Sequence, residues 1–356
     1  MLSCVKTGMG KVEMLDLPIP TPGPGEIVIK TTMATVCGSD MHFLEDIPTE
    51  LIIPLYPSMA SFLPGLPGLP MGHEGVGIVH AVGEGVTRFQ PGDRVCSSCL
   101  TGCGKCLQCI TGDYGICTGG GRCLFGTEGE YFVVPFADIN VAKVPDEVSD
   151  EHAILATDIM STGFAAIERA EMKIGDSVAI FAQGPVGLCA TAGARARGAG
   201  LVITVESVPE RMEASKKFGA NVVINPQERD PVSEIMNLTN GQGADVTVEA
   251  VGLQATFDGA TRAVRRGGTV SSVGVYGALP QLSMSTVAPS FYHRKVVMTF
   301  CPSGYDRLNH LFDIIRYGNV DLSALFTHRM KLSQTPEAYE LFRDKREGVL
   351  KIAITP

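Results

Sequence analysis

From residue 177 onward the chain alternates short apolar runs with helix-forming stretches, and this alternation limits its fold more than any other feature. SVAIFA (177–182) leads through a glycine turn into VGLCATAGARARG, and LVITVE (201–206) leads into PERMEASKKFGA. NVVIN, DVTVEAV (245–251), GTVSSVGV (268–275) and KVVMTF (295–300) continue the series. Strands that alternate with helices imply βαβ units and a parallel sheet covered on both faces, a doubly wound α/β domain. The first third has a different texture: GEIVIKTTMATVCG and EGVGIVHAVGEGV are β-branched stretches ended by turn residues. The last 56 residues hold one clear helix, RLNHLFDIIRYG, and a final strand, VLKIAIT. A chain of 356 residues exceeds one compact core, so two domains are expected.

Segment 47–70 fits neither texture. It is apolar but holds six prolines and two glycines, which suits an ordered surface loop with apolar contacts. The net charge of −9 argues against a nucleic-acid partner, since a phosphate backbone demands a basic surface. No apolar run is long enough to span a bilayer, and the first residues lack a signal-peptide pattern, so the expectation is a cytoplasmic protein with no membrane partner.

Seven of the eleven cysteines lie between Cys96 and Cys123. In a reducing compartment such clustering points to metal rather than disulfides. Cys103-x2-Cys106-x2-Cys109-x7-Cys117 has the spacing of a closed four-thiolate zinc site, which stabilises a loop with little core of its own. Cys96-x2-Cys99 paired with Cys106-x2-Cys109 is an alternative set; with the first set, Cys96, Cys99 and Cys123 are reduced neighbours.

After SVAIF comes Ala182-Gln183-Gly184-Pro185-Val186-Gly187, a dinucleotide fingerprint with alanine at its first glycine position. Gly184 lets the backbone approach a pyrophosphate, Gly187 lets the helix pack close to the strand, and Pro185 and Val186 open the helix whose N-terminus favours anions. Glu206 ends the next strand, nineteen residues after Gly187. An acid there accepts hydrogen bonds from ribose hydroxyls and repels a 2′-phosphate, which favours NAD over NADP.

Three further segments offer metal donors: Cys37-Gly38-Ser39-Asp40-Met41-His42, Gly72-His73-Glu74-Gly75, and Thr157-Asp158-Ile159-Met160-Ser161-Thr162-Gly163. Together with the four-cysteine lobe and the glycine turn, they resemble the zinc-containing medium-chain dehydrogenase/reductase family over nearly the whole chain. The likeness extends to bacterial secondary-alcohol dehydrogenases in TD-x-M-x-TGF (157–164), MNLTNGQGAD (236–245) and CPSG (301–304). The resemblance implies a Rossmann NAD-binding domain, 158–300, inserted after a β-rich GroES-like catalytic domain, 1–157 and 301–356.

It also implies that Cys37, His73 and Asp158 bind a catalytic zinc with Glu74 beside them or as a fourth ligand, giving two zincs per subunit. Many relatives carry cysteine as the third ligand, whereas this chain has none between 124 and 188. Zinc with an open position acidifies an alcohol, whose carbon gives hydride to nicotinamide. Ser39 would bond the substrate oxygen, His42 would end a proton relay, and Asp40 would orient His73. The resemblance assigns Val251 and Lys351 to the cofactor, Lys351 at the pyrophosphate, and Tyr276, Phe300 and Cys301 to the substrate pocket. It implies a homo-oligomer, tetramer before dimer, acting on a small alcohol or carbonyl substrate. The apolar loop suggests bulky apolar substrates. The rival readings are a glutathione-independent formaldehyde dehydrogenase, a polyol dehydrogenase, and a catalytically silent binding relative. The secondary-alcohol enzymes commonly use NADP and many lack the cysteine lobe, whereas Glu206-Ser207-Val208 and the lobe are present here.

Overall fold

The computed structural model describes residues 1–51, 65–276, 282–283, 293–318 and 320–356. Most of the apolar loop expected at 47–70 therefore lies outside the described residues. The chain forms two compact units, Met1–Ser161 with Cys301–Pro356, and Thr162–Phe300. The division falls after Ser161 rather than after Thr157, which keeps Asp158 with the first unit.

The first unit is built on β-sheet. β1 (Leu2–Gly8) pairs antiparallel with β2 (Lys11–Asp16) and β4 (Leu69–Pro70). A larger sheet runs β15 (Phe326–Lys331), β16 (Lys351–Thr355), β3 (Ile27–Val36), β5 (Gly75–Val82), β6 (Arg94–Ser97), β8 (Val141–Lys143), with β7 (Tyr131–Val134) also on β3. Ile27, Ile29, Val79, Val95, Leu124, Phe132 and Val134 fill its core. β3 alternates poorly because it is buried along most of its length, and this produces the continuous β-branched run seen in its sequence.

Among its described residues the second unit holds six parallel strands: β9 (Ser177–Phe181), β10 (Leu201–Val205), β11 (Val222–Ile224), β12 (Ala244–Glu249), β13 (Val264–Ser272) and β14 (Lys295–Met298). Their spatial order is β11-β10-β9-β12-β13-β14, the doubly wound order that opens a crevice beyond the first strand. Successive residues of β9 serve opposite faces: Val178 and Ile180 join one core, Ala179 and Phe181 the other. This explains the unbroken apolar strand sequences. The helices Pro231–Leu238 and Gln254–Ala263 were not read from the sequence. The first carried a signal: Asp230 accepts from the Ser233 N–H at 2.9 Å, with Pro231 at the first helical position.

Candidate active site

The donors of the first unit converge from three segments. β3 ends at Val36, and Cys37 precedes the helix Gly38–Glu45. Inside that helix the Asp40 carboxylate accepts the Cys37 N–H at 2.9 Å through Oδ2, while Oδ1 lies 2.8 Å from His73 Nδ1. With Nδ1–H given to Asp40, the His73 Nε2 lone pair faces the cluster. Nε2 is 3.1 Å from Asp158 Oδ2 and 3.3 Å from Ser39 Oγ, and Cys37 Sγ is 3.8 Å from the same Asp158 oxygen. Donor atoms of Cys37, His73 and Glu74 all lie within 4.8 Å of one another.

These groups suit a cation. Burial disfavours a charged His73, but Asp40 and hydrogen bonds to Asp158 and Cys37 hold its pKa well above the usual imidazole range. The field that retains a proton there equally favours a metal ion. Glu74 is fully buried, and its Oε1 has no hydrogen-bond partner among the described residues, a costly state for a carboxylate oxygen unless an ion uses it. Its Oε2 is bound by the Thr35 hydroxyl and the Lys351 ammonium. Burial raises the Glu74 carboxyl, while Lys351 and His73 pull it back.

Lys351 is the main correction to the sequence reading. It is 1% exposed, lies on β16 and is spent on Glu74, which replaces the pyrophosphate contact expected of it. Burial works against its charge, but Cys37 and Glu74 more than offset that and raise its pKa. Thr35 and this ion pair were missed because their partners lie 39 and 277 residues away.

Ser39 Oγ also sits 3.5 Å from Cys37 Sγ, at the edge of the cluster. His42, one turn further along the helix, is partly exposed and pairs with Asp46 at 2.6 Å. Cys301 is buried with its Sγ 3.8 Å from the Asp158 carbonyl oxygen.

The lobe at 103–117 brings Cys103, Cys106, Cys109 and Cys117 within 4.8 Å of one another. Backbone N–H groups of Cys109 and Thr118 pull the Cys106 thiol down to about 5, and that of Lys105 lowers Cys103, whereas burial pushes Cys109 up to about 12. Leu107, Ile110 and Ile116 are exposed, so the lobe has little core without a metal. The alternative set is not assembled. Cys96 lies on β6 opposite Val76 and Ala142, and Cys99 packs with Cys301.

In the second unit Gly184 caps the helix Pro185–Ala196. A Cβ at Gly184 would meet nothing within 4 Å, so the turn leaves open space for a ligand. A Cβ at Gly187 would lie 2.1 Å from the Ala182 carbonyl oxygen, which is why glycine is needed there. Ala182 adopts φ 72°, the conformation that the missing first glycine would supply at no cost. Glu206 is buried and already accepts three backbone N–H groups: Gln183 at 2.8 Å, Ser207 at 2.7 Å and Val208 at 3.0 Å. It therefore shapes the turn as well as ending the strand.

Val251 donates its N–H to Glu249 at 2.9 Å. Glu249 also accepts from Gly252, Thr256, Ser272 and the Tyr276 hydroxyl at 2.8–2.9 Å, an anchor that the sequence did not reveal. Tyr276 is thus tied to β12 and β13, and Phe300 is 53% exposed.

A doubly wound sheet with an open glycine turn, in one chain with a mixed Cys/His/carboxylate cluster and a four-thiol lobe, defines a metal-binding dehydrogenase of the two-unit kind. Residues 23–146 match the family model for the alcohol dehydrogenase GroES-like domain, and residues 185–315 match that for zinc-binding dehydrogenases. An alcohol dehydrogenase of Cupriavidus necator is 39% identical across 98% of this chain and 96% of its own length. An NADP-dependent isopropanol dehydrogenase of Thermoanaerobacter brockii is 32% identical over 96% of each. The solved alcohol dehydrogenase TADH from Thermus sp. ATN1 superposes with a TM-score of 0.87 at 30% identity, covering 100% of this chain and 99% of its own. The chain belongs to the zinc-dependent medium-chain dehydrogenase family, with a GroES-like fold and a Rossmann fold.

Proposed function

We propose that the protein is a zinc-dependent, NAD-linked alcohol dehydrogenase that interconverts primary or secondary alcohols and their carbonyl compounds. The observation that carries this reading is the convergence of Asp158 on Cys37 and His73, whose donor atoms in turn lie close to a buried Glu74 that keeps one oxygen without a hydrogen-bond partner among the described residues. These residues would hold the catalytic zinc, and Cys103, Cys106, Cys109 and Cys117 the structural one. A catalytic zinc supplies Lewis acidity that brings an alcohol proton within reach of neutral pH.

Ser39, whose hydroxyl lies beside Cys37 and His73, would accept that proton's hydrogen bond. His42, paired with Asp46 and partly exposed on the same helix, gives the proton an exit to solvent. Gly184, Pro185, Val186 and Gly187 would seat the pyrophosphate at a helix N-terminus. Glu206 would bond the ribose with the Oε2 lone pair that its three N–H partners leave free, and Val251 would border the cofactor. Tyr276, Phe300 and Cys301 remain the proposed substrate contacts.

Two relatives are NADP-dependent isopropanol dehydrogenases, so cofactor choice needs its own test. A panel of primary, secondary and aromatic alcohols and aldehydes, assayed with NAD and with NADP, is expected to give nicotinamide turnover with NAD preferred, abolished by chelation. No turnover across the panel would overturn the reading.

A further inference from the structure

Three cysteines outside the four-thiol lobe gather in one place. Cys99, Cys123 and Cys301 meet beside Asp158, although they come from three separate segments. Leu100 and Cys123 form an antiparallel bridge, and the Leu124 N–H donates to the Cys99 carbonyl at 2.8 Å, so the two strands hold their thiols together. The Gly304 N–H donates to Ser98 Oγ at 2.8 Å, which draws the 301–304 segment onto the same place. Donor atoms of Cys99, Asp158 and Cys301 lie within 4.8 Å of one another, with Cys99 4% and Cys301 5% exposed.

Three thiols alone would be ordinary core packing. A carboxylate among them is not: an apolar thiol nest gains nothing from an adjacent charge. Two or three sulfurs with one oxygen form a donor set for a soft divalent ion such as zinc or cadmium.

We propose that Cys99, Cys301 and Asp158, with Cys123 beside them, form a further binding site for a thiophilic divalent cation, in which the Asp158 carboxylate is shared with the catalytic donors. Binding replaces two S–H bonds with two metal–sulfur bonds and releases two protons to solvent; no electrons are exchanged. The sharing rests on the catalytic reading of Asp158, but the donor cluster does not. Occupancy would draw Asp158 away from Cys37 and His73, so an excess of such an ion should inhibit turnover.

The zinc-loaded protein would be titrated with cadmium or cobalt, desalted, and its metal content measured per subunit. Wild type should take up one further ion, with a thiolate-to-metal absorption band, and Cys99→Ala should lose that one equivalent while keeping its original zinc. No additional ion with a thiolate band in wild type, or the same uptake by Cys99→Ala, would overturn the proposal. The wild-type titration decides the matter even if the variant fails to fold. Failure of the catalytic reading would show instead as missing zinc or absent turnover before any metal is added.

Discussion

Asp40 touches both the backbone N–H of one proposed zinc ligand and the imidazole of another. Its role is therefore to set direction rather than to react. Asp40→Asn is expected to weaken the catalytic zinc by about 10–100-fold, measured by competition with a chromophoric chelator. Zinc affinity equal to wild type would remove that role. Glu206 needs a revised expectation. Glycine there would remove discrimination against a 2′-phosphate, but it would also orphan the N–H groups of Gln183, Ser207 and Val208. Glu206→Gly should therefore raise the KM for NAD by about tenfold, a loss near 1.4 kcal/mol, while the kcat/KM ratio of NAD to NADP falls. An unchanged ratio in steady-state assays would exclude Glu206 from cofactor choice.

At the level of elements, the β9 turn is an exacting piece of backbone in the second unit. Gly187→Ala must push the helix Pro185–Ala196 off β9, because its Cβ meets a backbone oxygen rather than a movable side chain. Cofactor affinity should collapse, as read by loss of NADH fluorescence enhancement, and the melting temperature should fall. Ala182→Gly should act in the other direction. A left-handed conformation costs an L-residue about 1–2 kcal/mol, partly offset by the unfolded-state entropy of glycine, ~0.4–1 kcal/mol. The net gain of ~0.5–1 kcal/mol should raise the melting temperature by about 1–4 °C in a domain of this size. A melting temperature at or below wild type would show that the turn holds no such strain.

For the whole molecule, the Glu74–Lys351 pair joins residues 277 apart within the first unit. Lys351→Met leaves a buried carboxylate without its cation and should cost about 3–5 kcal/mol in thermal or denaturant unfolding. The paired variant Glu74→Gln with Lys351→Met should recover part of that loss, since no charge is then stranded. Metal removal should act on two levels. A chelator is expected to abolish turnover and also to lower the melting temperature, because the 103–117 lobe exposes its leucine and isoleucines and has little else to hold it. Loss of activity with an unchanged melting temperature would leave the lobe without a structural zinc.

Local chemistry was legible in the sequence alone. The spacing of Cys103, Cys106, Cys109 and Cys117, the turn from Ala182 to Gly187, and the apolar strands after residue 177 each depend on residues a few positions apart. Backbone geometry within a turn or a strand largely determines how such residues sit. Tertiary structure decided the rest. It brought Cys37, His73 and Asp158 together from three segments and turned Lys351 from an expected cofactor contact into the counter-ion of Glu74. It gave Glu206 three backbone partners and gathered Cys99, Cys123 and Cys301 around Asp158. The physical reason is the same in every case. A buried polar group takes whatever partner the packing of distant strands presents, and its own sequence neighbours do not reveal that partner.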